Sequence, residues 1–242
     1  MTFGGADSIP AHRYHEGVRR AIELGLIAFG EAVRLPVENP FIHPGSRGGW
    51  SWKPTHTRPL CDRAADMLYR LRGRSSLRVL ELGPGAGVAA AEIRRIVPQC
   101  TLTTIGLTPI DPFQGQGGES ESVVRQPMID LQLIGDLPQM LPVSGGKFDF
   151  IYDNYGPIFW ILVESSRRGC AARAGSLISD ILEVLRGDGV LFIGASDGAL
   201  LTERMLARHA GPDAMNVFSG PIYARTEIRT CIFARGTCRL LF

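Results

Sequence analysis

Glu81 stands at the end of an apolar run and is followed by glycines at 83, 85 and 87, within the stretch RVLELGPGAGVAA from Arg78 to Ala90. A carboxylate beside such a turn can receive a cationic group. The glycines let backbone approach a ligand closely, and the start of the following helix offers unpaired N–H groups. Further on, Asp153, Asn154 and Tyr155 close a second apolar run, FDFIYDNY. Carboxylate, amide and phenol in a row could orient a substrate or take a proton from it. The plainer reading is that Asp153 and Asn154 cap the next helix, since both residue types are strong N-caps. A third group lies in the N-terminal third, where His12, His15, His43 and His56 are interleaved with Tyr14, Trp50 and Trp52. Either this segment covers a pocket, with His56 or His15 as a base and the tryptophans as lining, or the histidines face solvent and the rings anchor a loop.

The glycine spacing discriminates between ligands. A dinucleotide fingerprint has the form G-x-G-x-x-G and would put its third glycine at position 88. That position is Val88, and the glycine is Gly87. The pattern E-x-G-x-G-x-G instead resembles motif I of the class I S-adenosylmethionine-dependent methyltransferases. Three further stretches resemble that family in order: LIGDLPQMLP, FDFIYDNYGP and VLRGDGVLFIG. The resemblance covers about residues 75–242. It implies S-adenosylmethionine (SAM) as cofactor, with Glu81, Gly83, Pro84, Gly85 and Gly87 shaping the site of its methionine end. It further implies Asp136, with Leu137 beside it, at the adenine, and Asp153 to Tyr155 at the reacting methyl group.

One position departs from the family. The second strand ordinarily ends in an acid that accepts both ribose hydroxyls, whereas TTIGLTPID has Leu107 there, then Thr108, with Asp111 four residues later. Leu107 and Thr108 are therefore carried as cofactor-side positions without a carboxylate. The same departure motivates the alternative of a catalytically degenerate protein that keeps the fold for binding or interaction. DNYGP is not the Asn/Asp-Pro-Pro-Tyr/Phe motif of nucleic-acid amino-group methyltransferases. No lysine follows Lys147, which excludes the Lys-Asp-Lys-Glu set of ribose 2′-O-methyltransferases.

The elements that would hold these residues read as follows. AHRYHEGVRRAIELGLIAFG, from Ala11 to Gly30, has apolar positions at helical spacing, and LCDRAADMLYRLRG forms a second amphipathic helix ending at Gly73. A Pro- and Gly-rich loop joins them. Strands are expected at SLRVLEL, TLTTIGL, LQLIG, FDFIYD and GVLFIGA, and helices at GVAAAEIRRIV, SLISDILEVL and ALLTERMLARHA. PIYARTEIRTCIFAR supplies two closing strands, and Gln114 to Ser122 is expected to be exposed and poorly ordered. The arginines of RRAIE, YRLRGR and EIRR are expected on solvated helix faces.

Alternation of this kind implies an α/β fold: a Rossmann-like three-layer sandwich around a mostly parallel seven-stranded sheet with an antiparallel closing strand, plus an N-terminal helical extension. The division expected is a helical cap over 1–74 and a SAM-binding domain over 75–242. The bulk numbers narrow the function. A net charge of +2 over 242 residues is far from the basic stripe of a nucleic-acid binder. Five cysteines without a Cys-x-x-Cys pair suggest neither zinc nor a disulfide framework. With no secretory start and no apolar run of about 18 residues, a cytoplasmic enzyme is expected. The reading is thus a methyltransferase acting on a small-molecule acceptor, without a metal, membrane or nucleic-acid partner, and compatible with a homodimer.

Overall fold

The computed structural model describes residues 16–30, 59–85, 87–107, 109–110, 112–113, 127–154, 156–158, 161, 171–195, 214–221 and 229–235, with backbone alone for 16, 171–174, 195, 214–221 and 229–235. Helix α1 spans Glu16–Glu23, strand β1 Ile27–Phe29, α2 Asp62–Leu71, β2 Arg78–Leu82, α3 Val88–Ile96, β3 Thr101–Gly106 and β4 Leu131–Ile134. Then follow α4 Leu137–Met140, a 3₁₀ turn Pro142–Ser144, β5 Phe148–Asn154, α5 Ala171–Val184, β6 Leu185–Ala195, β7 Ala214–Pro221 and β8 Arg229–Arg235. The strands form one sheet in the order β1-β4-β3-β2-β5-β6-β8-β7. The six strands from β1 to β6 pair in parallel, whereas β8 is antiparallel to both β6 and β7.

Strand alternation builds the layers. Val79, Phe150, Tyr152, Val190 and Phe192 face α2 and α3, where they pack with Met67, Leu68, Leu71, Ala90 and Ile93. Leu80, Leu82, Ile105, Ile151, Leu191 and Ile193 point the other way, onto Leu137, Met140, Leu177, Ile178 and Ile181. Both faces of the central strands are therefore buried, which is why these segments read as continuous apolar runs.

Several expectations need correction. The sheet has eight strands among the described residues, not seven. The additional one is β1, which lies inside the stretch expected to be a single helix to Gly30. Gly25, at φ +70°, ends the helix, with Leu26 N–H bonded to the Ala21 carbonyl at 2.9 Å. Ile27-Ala28-Phe29 then joins the sheet edge through β4, so the N-terminal extension is not wholly helical. At the other end β7 lies at Ala214–Pro221, upstream of the closing pair as read. Asn216, Ser219 and Gly220 dilute its β signal, and its register shifts between Asn216 and Phe218.

Two arginines are not on solvated faces. Arg94 donates from Nε to the Met128 carbonyl at 3.0 Å, from Nη1 to the Cys100 carbonyl at 2.6 Å, and from Nη2 to Asp130 at 2.6 Å. Arg74 reaches buried Asp149 at 3.4 Å, a carboxylate that also accepts the Arg78 N–H at 2.8 Å and Arg186 at 3.1 Å. A planar guanidinium with five donors suits such loop-gathering roles. The segments Gln114–Ser122 and ALLTERMLARHA lie outside the described residues. Among the described residues no helix is long and apolar enough to cross a membrane.

Candidate functional site

β2 and β5 are parallel neighbours at the centre of the sheet, with Glu81 opposite Tyr152 and Leu82 opposite Asp153. Both strands end at the same edge, so their exit turns meet there. The β2 turn takes left-handed backbone at Gly83 (φ +67°), Gly85 (φ +56°) and Gly87 (φ +79°), a conformation that side chains with a Cβ rarely adopt. Gly83 also has no room: a Cβ would stand 2.9 Å from Pro157 Cδ. A Cβ at Gly87 would stand 2.7 Å from Ile110 Cδ1 and 3.1 Å from Met128 Cε. Gly87 is the N-cap of α3 and makes no side-chain cap bond. Pro84 between the glycines is buried.

Glu81 is 3% exposed, and burial pushes its carboxyl up to about 8. Its Oε2 has no hydrogen-bond partner. An unpaired buried oxygen of this kind costs about 1–3 kcal/mol, so it marks a place where a donor from outside the chain would be welcome. Asp153 is different. It is fully buried, and burial raises its carboxyl to about 7 against the pull of two backbone donors. Those donors are Ile158 N–H at 3.0 Å and Gly156 N–H at 2.8 Å, one to each oxygen. The Asp153 carboxylate thus holds the turn leaving β5, which is the capping role its residue type suggested. Asn154, next in the chain, keeps a shielded Oδ1 without a partner.

The remaining positions follow along the same edge. Gly83 N–H bonds to the Ile105 carbonyl at 2.8 Å and Gly135 N–H to the Gly106 carbonyl at 2.9 Å, which ties the ends of β2, β3 and β4 together. Leu107, half-buried, leaves β3 here, and Asp136 leaves β4. Asp136 occupies the N-cap position of α4 but makes no side-chain cap bond, and it is exposed. Leu137 beside it is buried in the core. The structure therefore gathers Glu81, the glycine turn, Leu107, Asp136, Asp153 and Asn154 along one sheet edge. Thr108, Tyr155 and His56 lie outside the described residues.

Two contributors were not singled out in the sequence. Gln132, in β4, is 1% exposed; its amide accepts from Ile110 N–H at 3.0 Å and donates to the Ile110 carbonyl at 2.8 Å. This clamp fixes the loop whose Ile110 borders Gly87. Tyr152, in β5, is buried, and its hydroxyl accepts from Cys61 N–H at 3.3 Å. A glutamine and a tyrosine inside strands of buried type were the available signal, because each polar end must find a partner when buried.

No described protein family matches the chain by sequence, and no curated protein does so. Solved structures do match in fold. TrmN from Thermus thermophilus superposes with a TM-score of 0.50 at 19% identity, over 76% of this chain and 52% of that one. The chain thus spans about half the length of TrmN. N-methyltransferase NodS from Bradyrhizobium japonicum WM9, in complex with S-adenosyl-L-homocysteine, matches at TM-score 0.44 and 16% identity, over 72% and 86% of the two chains. Burkholderia thailandensis 1,6-didemethyltoxoflavin-N1-methyltransferase, with 1,6-didemethyltoxoflavin and S-adenosylhomocysteine bound, gives 0.46 and 17%, over 72% and 77%. The TrmN match shows a Rossmann-like α/β fold for this chain.

Proposed function

We propose that this chain, which has the Rossmann-like fold of class I SAM-dependent methyltransferases, binds SAM at the β2–β5 edge and transfers its methyl group. The observation that carries the reading is the Glu81 carboxyl: buried, missing one donor, and standing at the glycine turn. A pyrophosphate would hold that carboxyl protonated and give it no compensating charge, whereas the ammonium of a methionine moiety supplies both a donor and the positive charge that lets Glu81 ionise. Gly83, Gly85 and Gly87 would let backbone come close to the same moiety. Asp136, exposed and not spent on a cap, would meet the adenine. SAM, when bound, supplies an electrophilic methyl group on sulfonium for in-line displacement.

The residues of the chain then act mainly by holding donor and acceptor in line, which can contribute most of the acceleration in such a reaction. Asp153 supports this by fixing the exit turn of β5 through Gly156 and Ile158. Tyr155 and His56 are the proposed acceptor-side groups, with a base needed only if the acceptor loses a proton. Residues 1–74 form the acceptor-side extension and 75–242 the cofactor domain, with β1 of the extension completing the sheet edge. The acceptor is a small molecule, in keeping with a net charge of only +2, which gives no strongly basic surface for a nucleic acid. Without an acid at Leu107, the ribose is held by neighbouring hydroxyl or main-chain groups.

Calorimetry with SAM and with NADH tests this directly. SAM is expected to bind and NADH not to; absence of SAM binding at about 1 mM overturns the reading. Gly85→Val should abolish SAM binding and leave the circular-dichroism spectrum near that of the parent protein, whereas unchanged affinity would refute the placement.

A further inference from the structure

Residues 16–30 dock against the loop after β3 as well as against the sheet edge. A glycine turn ends α1 and leads the chain into β1: Gly25 N–H bonds to the Ile22 carbonyl at 3.0 Å and Leu26 N–H to the Ala21 carbonyl. β1 then pairs with β4, where Gln132 N–H donates to the Leu26 carbonyl at 2.7 Å and Gly30 N–H to the Ile134 carbonyl at 2.8 Å. Val18, Ala21, Ile27 and Ile134 form one apolar cluster with Phe113, which is buried. The Arg20 guanidinium lies over the Phe113 ring, 5.2 Å from its centre.

Phe113 belongs to the loop that borders the glycine turn after β2. Three residues earlier, Ile110 is clamped by Gln132 and stands against Gly87. Pro112 is buried, and its carbonyl accepts from Met128 N–H at 2.9 Å; the Met128 side chain also borders Gly87. Ile110 and Phe113 thus share one stretch of tied backbone, the first packed toward the glycine turn and the second toward α1 and β1. An eight-residue helix and a three-residue edge strand are too short to persist alone in water, so this unit stays in place through Phe113, Ile134 and the pairing with β4. A segment held in that way opens more readily than the sheet centre.

We propose, on the reading of the glycine turn as the SAM site, that Phe113 is a positioning residue and the α1–β1 unit a brace: docking of residues 16–30 and binding of SAM favour one another through the loop that carries Ile110. SAM at the glycine turn needs the Ile110 wall in place, and the same loop position seats Phe113 against α1 and β1. Coupling of this kind is reciprocal, so each event strengthens the other by the same factor. This part of the N-terminal extension thereby serves cofactor binding, a role separate from any contact with the acceptor.

The test reads both directions in the full chain. Phe113→Ala should weaken SAM binding about tenfold in calorimetry, within the usual range of coupling between two sites, and Phe113→Leu should restore most of it. A loss of stability alone leaves the affinity of the folded protein unchanged, so this readout separates positioning from packing. Arg20→Ala, at an exposed position, should weaken SAM about two- to threefold and decides the matter if Phe113→Ala does not fold. In the ligand-free parent protein Gly30 N–H should exchange with deuterated solvent faster than Leu80 N–H at the sheet centre, and saturating SAM should slow it about tenfold. SAM affinity at the parent value in the variants that fold, or a Gly30 exchange rate indifferent to SAM, overturns the brace while the methyltransferase reading stands. If the parent protein binds no SAM, both fall together.

Discussion

Gly156 stands directly over Leu82: a Cβ placed on it would lie 2.7 Å from the Leu82 carbonyl oxygen and 2.8 Å from Asp153 Oδ2. The exit turns of β2 and β5 are thus in contact through glycine on both sides, since Gly83 meets Pro157 in the same way. The glycine turn after β2 and the turn carrying Asn154 are therefore one packed unit, and a displacement of either moves both.

Gly156→Ala tests that unit. The obstacle is backbone of β2 and a carboxylate already bonded to the turn, neither of which can swing aside as a flexible side chain would. The expected result is a loss of about 1–3 kcal/mol in urea unfolding, as for other overpacked sites, together with weaker SAM binding. Unchanged stability and affinity would mean that the turns tolerate separation.

Glu81 makes stability depend on pH. Its carboxyl titrates near 4.5 in the unfolded chain and at about 8 when folded. Below the lower value both states are protonated and the contribution is complete. Between the two values the unfolded chain ionises while the folded one keeps its proton, so stability falls as pH rises, by up to about 1.4 kcal/mol per pH unit. Above about 8 both states are ionised and the loss is finished. Asp153 adds a fall of the same sign between 3.8 and about 7. Glu81→Gln should flatten the upper part of the slope in denaturant midpoints taken from about pH 5 to pH 8. An unaltered slope in that variant would refute the assignment. A cationic ligand selects ionised Glu81, so over the same range SAM affinity should rise with pH in the parent protein and stay nearly flat in Glu81→Gln.

Asp153→Asn separates turn-holding from proton transfer. An amide offers one acceptor where the carboxylate offers two, so either Gly156 N–H or Ile158 N–H would face an NH₂ group. Stability should drop by about 1–3 kcal/mol. Once an acceptor is known, turnover should follow the loss in SAM binding and no more. A fall of about 10²–10⁴ in turnover at unchanged stability and affinity would instead give Asp153 the role of a base.

The parts of the site that were legible in the sequence are those in which chemistry and backbone constraint coincide. Three glycines with left-handed backbone beside a strand-end acid leave a spacing that identifies the turn before any coordinates exist. Strand runs buried on both faces were legible for the same reason: Val79 to Leu82 and Phe148 to Asp153 are apolar almost throughout because neither face meets water. What escaped depended on tertiary partners. Ile27–Phe29 carries no pattern that separates three residues of edge strand from the end of an amphipathic helix; its identity comes from pairing with Leu131–Ile134. Asp153 could be read as a reactive acid or as a cap, and its bonds from Gly156 and Ile158 N–H depend on a folded turn that sequence does not display. Arg94 looked solvated because its carbonyl partners, Pro98, Cys100 and Met128, are loop backbone that sequence does not distinguish.

Gln132→Leu gives the most direct measure of how the loop after β3 supports the glycine turn proposed to hold the cofactor. In the parent protein the Gln132 amide satisfies both main-chain groups of Ile110, and the Ile110 side chain then closes over Gly87. Leucine has similar volume, so little packing is lost, yet a buried N–H and a buried C=O are left without partners. Each such orphan costs about 1–3 kcal/mol, so a total of several kcal/mol should appear in urea unfolding unless the loop lifts to reach water. If it lifts, the stability loss shrinks while the wall beside Gly87 opens and SAM binds more weakly. The two outcomes trade against each other, so stability and affinity must not both stay at parent values. Gln132→Glu sharpens the comparison. The carboxylate still accepts from Ile110 N–H but faces the Ile110 carbonyl with an oxygen, so this variant should lose stability as pH rises through the titration of the new acid. Gln132→Leu has no such group and should show no added dependence there.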